Sequence, residues 1–170
     1  MQKVFVFGEI DMKSQTKYVK KLNRKRVLIC MIVFFALLPV FSYLHETGHA
    51  LVCIADGNEA EISVDFVNGG TTLCHGDVSN LFAYKISGGL LAGIVGTAAG
   101  IALFRWKIPF IAITTIGIGH LINAGIEAFA DSYFTHGVEW SFFMGLVEFV
   151  IFLTLLIIFD RKMVKLNDVL

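Results

Sequence analysis

His45-Glu46-Thr47-Gly48-His49 sets two imidazoles four residues apart, with a carboxylate next to the first. Residues four apart share one face of an α-helix, so His45 and His49 can offer nitrogen ligands to a single ion. Two histidines on adjacent turns form half of a zinc site, and Zn²⁺ is the expected cofactor. Glu46 projects about 100° around the helix from His45. That places it outside the ligand shell, where it can take a proton from a metal-acidified water and pass it to a leaving amine. Gly48 is expected to leave room beside the ion for a substrate backbone, and Ala50 keeps the next position small.

A His-Glu-x-x-His run arises by chance on many soluble helices, but this one follows the uncharged stretch Val27–Leu44. A charged group inside a bilayer helix costs about 2.5–3.5 kcal/mol on insertion scales. Two histidines and a glutamate within five residues of such a helix therefore point to coordination. A catalytic zinc takes three protein ligands and keeps one position open. The candidates for the third are His120, Asn123, Glu127 and Asp131, whose spacings of three, four and four put them on one helical face. The competing reading of that face is a polar stripe lining a water-filled cavity or a transport path.

The elements that must hold these groups are legible as apolar blocks. The 170 residues are 56% hydrophobic and 16% charged, against about 45–50% and 25% in soluble domains. Val27–Leu44, Ile86–Phe104, Ile108–Ile126 and Trp140–Phe159 carry no charge except Glu148. Each approaches the length of about 20 residues that an α-helix needs to cross the bilayer. The predicted fold class is an all-α membrane protein with about four transmembrane helices and a small β-hairpin between helices one and two. Helix one is predicted to continue through the motif to Ala55 and stop at Asp56-Gly57-Asn58, with a kink or a freed carbonyl at Pro39. Helix two carries Gly89-x₃-Gly93 and Gly96-x₃-Gly100, a spacing that lets helices approach closely. Glu61–Val67 alternates polar and apolar, and Asn68-Gly69-Gly70 then Thr71–Cys74 follow, which reads as a hairpin with a glycine turn.

Residues 1–26 read as a basic N-terminal arm, 27–159 as the membrane metalloprotease-like core and 160–170 as a short tail. Seven basic residues and no acidic one lie between Lys13 and Arg26. A basic segment abutting an apolar run reads as a cytoplasmic flank, and no nucleic-acid partner is expected. Arg105 and Lys107, then Arg161, Lys162 and Lys165, fall on the same side as the arm. Asp56, Glu59, Glu61, Asp65, Asp77, Asp131 and Glu139 fall on the other. Both termini of this multi-pass integral membrane protein are therefore expected in the cytoplasm, with the bilayer as its surroundings. Cys30, Cys53 and Cys74 suggest no disulfide framework, and Cys30 and Cys53 are taken as small apolar residues. His136 and Glu139 read as solvated loop residues within reach of the site mouth, and Glu148 as a buried carboxylate that either pairs with a polar group on helix three or marks a helix placed less deeply.

In these motifs the chain resembles the site-2 protease family of intramembrane zinc metalloproteases. That family pairs His-Glu-x-x-His in one membrane helix with Asn-x-x-Pro-x-x-x-x-Asp-Gly in a later one. Asn123 to Asp131 reproduces its interval of eight residues, while Ile126 and Ser132 stand where the family has Pro and Gly. The likeness extends over the hairpin and Ser87-Gly88-Gly89, from about Val27 to Asp131. It implies His45, His49 and Asp131 as zinc ligands, Glu46 as general base, and Asn123 as a donor to the substrate or developing oxyanion. Glu127 would then hydrogen-bond a ligand histidine. The family holds its site near the cytosolic face, whereas counting basic residues puts this one near the opposite face.

The function expected on these grounds is an intramembrane zinc metalloprotease that hydrolyses a peptide bond of a transmembrane or membrane-associated protein. The competing class is a non-proteolytic membrane metal-binding or transport protein, or an inactive relative. Glu46 discriminates them, because a transporter has no need of a base beside its ligand pair.

Overall fold

The computed structural model describes residues 18–21, 24–65, 69–130, 137–160 and 162–165. The apolar blocks fold as four helices, each long and apolar enough to cross a membrane. These are α1 (Arg24–Ala55), α2 (Leu81–Ala102), α3 (Lys107–Phe129) and α4 (Gly137–Asp160). The hairpin between the first two comprises β2 (Glu59–Asp65) and β3 (Gly69–His75). A second two-stranded sheet pairs β1 (Tyr18–Lys21) with β4 (Lys162–Lys165), antiparallel, from Tyr18 opposite Lys165 to Lys21 opposite Lys162. Sequence pattern did not anticipate this second sheet, because its lysine-rich strands lack apolar alternation. An even number of helices returns the chain to the end from which it started, which allows the pairing.

Each helix boundary has a local cause. The α1 helix runs unbroken across Pro39 and closes at Ala55, where Gly57 takes a φ of +82° that glycine alone adopts freely. Asp56 then accepts hydrogen bonds from the Ser79 hydroxyl at 2.6 Å and the Ser79 N–H at 2.9 Å. These two bonds hold its carboxyl below the usual carboxylate range. Asn80 caps α2 by accepting from the N–H of Ala83 at 2.9 Å. Pro109 sits in the first turn of α3, where a missing N–H costs nothing.

The glycine face of α2 is the contact surface for α3. A Cβ on Gly89 would meet backbone atoms of His120 and Ala124 at 2.6 Å, and one on Gly96 would meet the Cα of Gly117 at 2.7 Å. Bare backbones thus pack directly, as small-residue interfaces do in membranes. Away from the site, Cys30, Phe110, Ile111, Phe152 and Leu156 pack into one apolar cluster. Phe41, Ala92 and Ile116 form a second, closer to the motif. The large side chains left outward are themselves apolar, including Leu28, Ile32, Phe35, Phe142 and Phe149. Such a surface suits hydrocarbon, not water.

Two readings from sequence need correction here. Asp65 pairs with Gly69, so Gly69 and Gly70 belong to β3 and the connection is residues 66–68, outside the described residues. Cys53 and Cys74 are joined by a disulfide, with Cα atoms 5.9 Å apart across a separation of 21 residues. Spacing alone could not show it. The hairpin folds back along the last turns of α1, and only that return brings Cys74 to the fully buried Cys53.

Candidate metal centre

The motif occupies the inward face of α1, where His45, Glu46 and His49 are each 6% exposed. The Nε2 atoms of His45 and His49 lie 3.1 Å apart. Their other nitrogens are held from behind. His49 Nδ1 donates to the backbone oxygen of Tyr84 at 2.7 Å, and His45 Nδ1 lies 3.1 Å from Nδ1 of His120. A donated Nδ1–H leaves the opposite Nε2 of a neutral imidazole with its lone pair facing inward. The outer partner fixes tautomer and ring plane together, as is usual for metal-binding histidines.

The third group at this focus is Glu127, 2% exposed. Its Oε1 is 3.1 Å from His45 Nε2 and its Oε2 is 3.7 Å from His49 Nε2. His45, His49 and Glu127 each offer a ligand atom within 4.8 Å of the others, making a buried set that could hold a metal ion. Three acceptors converging in a buried site repel one another unless a proton or a metal cation lies between them. A tetrahedral ion with bonds of about 2.0–2.1 Å spaces its ligand atoms roughly 3.3 Å apart. The Nε2–Nε2 and His45 Nε2–Glu127 Oε1 separations, both 3.1 Å, lie close to that value, and the other carboxylate oxygen, Oε2, is 3.7 Å from His49 Nε2. The donor set fits.

Sequence resemblance gave the third position to Asp131 and left Glu127 to support a histidine. Asp131 lies outside the described residues. A supporting carboxylate would meet an Nδ1, yet both Nδ1 atoms have other partners and Glu127 faces both Nε2 atoms. The reason is the continuity of α3. The helix runs unbroken through Ile126, and the Ala130 N–H closes onto the Ile126 oxygen at 2.7 Å. Asn123 and Glu127 therefore stay one turn apart, and Asn123 Nδ2 donates to Glu127 Oε1 at 2.9 Å. Asn123 thus steadies the carboxylate.

Glu46 lies beside the ligands without joining them. Its Oε2 accepts from the Thr72 hydroxyl at 2.8 Å, and the same hydroxyl lies 2.9 Å from the Glu46 backbone oxygen. Gly70 passes so near that a Cβ there would meet Glu46 Oε1 at 2.8 Å. The Tyr84 hydroxyl donates to the Thr72 oxygen at 3.3 Å, which ties β3 to α2. Gly48 has a different task from the one its sequence context suggested. A Cβ there would collide with the Ser87–Gly88 backbone, so Gly48 admits α2. Gly88 is the residue that keeps the space between the imidazoles open, since a Cβ on it would stand 2.8 Å from His45 Nε2.

A cavity of about 320 Å³ opens beside this cluster, with His45, Glu46, His120 and Asn123 on one wall and Glu148 of α4 on the other. Sequence reasoning named Glu148 but could not place it against Gly119 and this cavity. It read Thr72 only as part of the hairpin and Gly88 only as part of the glycine-rich helix, with no role at the site, because neither residue type announces chemistry. No family model, curated protein or solved structure matches the chain.

Proposed function

We propose that this protein is an intramembrane zinc metalloprotease, similar in mechanism to the site-2 proteases it resembles. The observation that carries this reading is the convergence of His45 Nε2, His49 Nε2 and Glu127 with Glu46 beside them. These groups meet among helices apolar enough to cross a membrane. Two imidazoles and one carboxylate suit Zn²⁺, with His45, His49 and Glu127 holding it. Bound there, the metal would make water acidic at neutral pH and polarise a peptide carbonyl.

Glu46 is the base. It takes the proton from the attacking water and delivers it to the departing amine, so the C–N bond breaks with a neutral leaving group. Thr72 holds the carboxylate toward the cavity by its hydroxyl. His120 and the Tyr84 carbonyl keep both imidazole rings facing the ion. Asn123 positions Glu127. The substrate is a transmembrane or membrane-associated polypeptide, because a segment reaching this centre must pass between apolar helices. A helical segment must unwind first, since its own backbone bonding shields each carbonyl.

The test is cleavage of a single-span model substrate by the purified, zinc-loaded protein. Cleavage should stop on chelation, return with zinc, and be absent from Glu46→Gln, which keeps about one zinc per chain. Full chelator-sensitive cleavage by Glu46→Gln would remove Glu46 as the base. No cleavage of any membrane substrate by the loaded protein would favour a metal-binding or transport role.

A further inference from the structure

Glu148 is the one carboxylate in the apolar core of α4, and the metal centre does not use it. Its side chain lies against Gly119, where an added Cβ would meet its Cγ at 2.6 Å and its Cδ at 2.9 Å. Glycine at 119 therefore makes the space the carboxylate occupies, and any other residue there would displace it. The neighbouring residue on α3 is His120, which holds the ligand His45. Glu148, His120, Ser42, Asn123 and Glu46 all line the same cavity of about 320 Å³. Among its described lining residues there is no Lys or Arg to balance Glu148. A carboxylate at that depth is costly to insert and marks a pathway or binding position by default.

The shape of the cavity narrows the occupant. It has roughly ten water volumes, at about 30 Å³ each, enough for one long side chain with a few waters. Met144 and Leu38 give it apolar walls, and its polar groups come from α1 (Ser42, His45, Glu46), from α3 (His120, Asn123) and from Glu148 on α4. Gly145 leaves its α4 side open, with nothing within 4 Å of an added Cβ. A chain with an apolar stem and a donating head matches this layout, which is the chemistry of lysine and arginine.

We infer that this cavity is a side-chain subsite beside the metal centre, and that Glu148 selects membrane polypeptides carrying a lysine or arginine near the bond presented to the metal. The inference rests on the hydrolase reading of that centre. Glu148 is a specificity-determining residue in it, and Gly119 is the residue that makes space for its carboxylate.

Binding without turnover tests it. Zinc-loaded Glu46→Gln protein in lipid nanodiscs is titrated with fluorescent Leu/Ala single-span peptides anchored by tryptophan. These carry lysine, norleucine or glutamate at each of four successive central positions. The best lysine peptide should bind about tenfold tighter than its norleucine counterpart. Adding Glu148→Gln should bring that ratio near one, and Glu148→Lys should instead favour the glutamate peptide. Equal affinities for lysine and norleucine peptides, or a lysine preference that survives Glu148→Gln, would overturn the subsite. A lysine preference that depends on Glu148, in a protein whose wild type cleaves none of these peptides, would keep the subsite and remove the hydrolase. Cleavage at equal kcat/KM for lysine and norleucine peptides, with equal affinities, would do the reverse.

Discussion

The Nδ1 atoms of His45 and His120 lie 3.1 Å apart, on helices 75 residues distant in sequence. One of the two must donate, and donation from His45 would free its Nε2 for a metal ion. His120 is thus a positioning residue for a ligand.

Replacing His120 with phenylalanine keeps the ring and removes the hydrogen-bond partner. Zinc affinity should fall about 10–100-fold, the usual effect of losing such a support. Competition with a chromophoric chelator measures it. His120→Asn, which retains a polar partner, should recover part of the loss. Unchanged affinity in both variants would show that His45 needs no support from α3.

The third ligand is decided by comparing Glu127→Ala with Asp131→Ala. Glu127 faces both Nε2 atoms, so its removal leaves two histidines, too few for tight zinc. Metal analysis after gel filtration should show most zinc lost from Glu127→Ala and nearly all retained by Asp131→Ala. The opposite ranking would make Asp131 the ligand.

The motif on α1, the four helices and the hairpin were legible in sequence because each depends on local pattern. Helical spacing alone brings His45 to His49, and apolar length alone marks the spans. What could not be read depends on crossings. The four-residue spacing of Glu127 and Asp131 is that of one helical face, so pattern cannot choose between them. Glu127 meets both Nε2 atoms because of where α3 crosses α1, which no local pattern encodes, and Asp131 lies outside the described residues. Thr72 meets Glu46 only because β3 returns along α1, and the same return joins Cys74 to Cys53. Paired with Asp65, Gly69 extends β3 beyond the turn that sequence assigned it, and Gly70 is the close neighbour of the base.

Gly88 offers a test of the space reserved for the ion. A Cβ there would stand 2.8 Å from His45 Nε2 and 2.7 Å from His49 Cδ2. Gly88→Ala should bind less than a tenth of the wild-type zinc. Its circular dichroism should keep the helical signal, because alanine is the better helix former by up to about 1 kcal/mol. Full zinc occupancy in Gly88→Ala would place the ion elsewhere.

The disulfide and the charge pattern make one joint prediction about sidedness. Disulfides persist in oxidising compartments. Cys53–Cys74 lies at the end of the bundle that carries Asp56 and Asp77, opposite the basic flanks. Both termini should therefore be cytoplasmic, and cysteines introduced at Gln2 and Asn167 should resist membrane-impermeant maleimide in intact cells. Cys53 and Cys74 should react only after reduction. Loop closure over 21 residues is worth about 3 kcal/mol in the chain-entropy account, which sets the loss expected for Cys53→Ala with Cys74→Ala. Ready labelling of both termini from outside would reverse the orientation and bring the site to the cytosolic face.

Thr72 is the residue through which the hairpin acts on chemistry. Its hydroxyl is 2.8 Å from Glu46 Oε2, and it reaches that position from β3, whose far end is fixed by Cys74. Thr72→Val keeps the shape and β-branching of the side chain, so the strand should form as before. It removes the hydroxyl that Thr72 offers to the carboxylate. A base free to rotate spends less time aimed at the water, and kcat should fall roughly tenfold, while zinc content stays near one per chain and KM changes little. Thr72→Ser, which restores the hydroxyl, should recover most of the rate. Loss of zinc in Thr72→Val would mean that the hairpin supports the ligands themselves. A rate equal to wild type in Thr72→Val would show that Glu46 is held by its own packing against Gly70 and needs no partner on the strand.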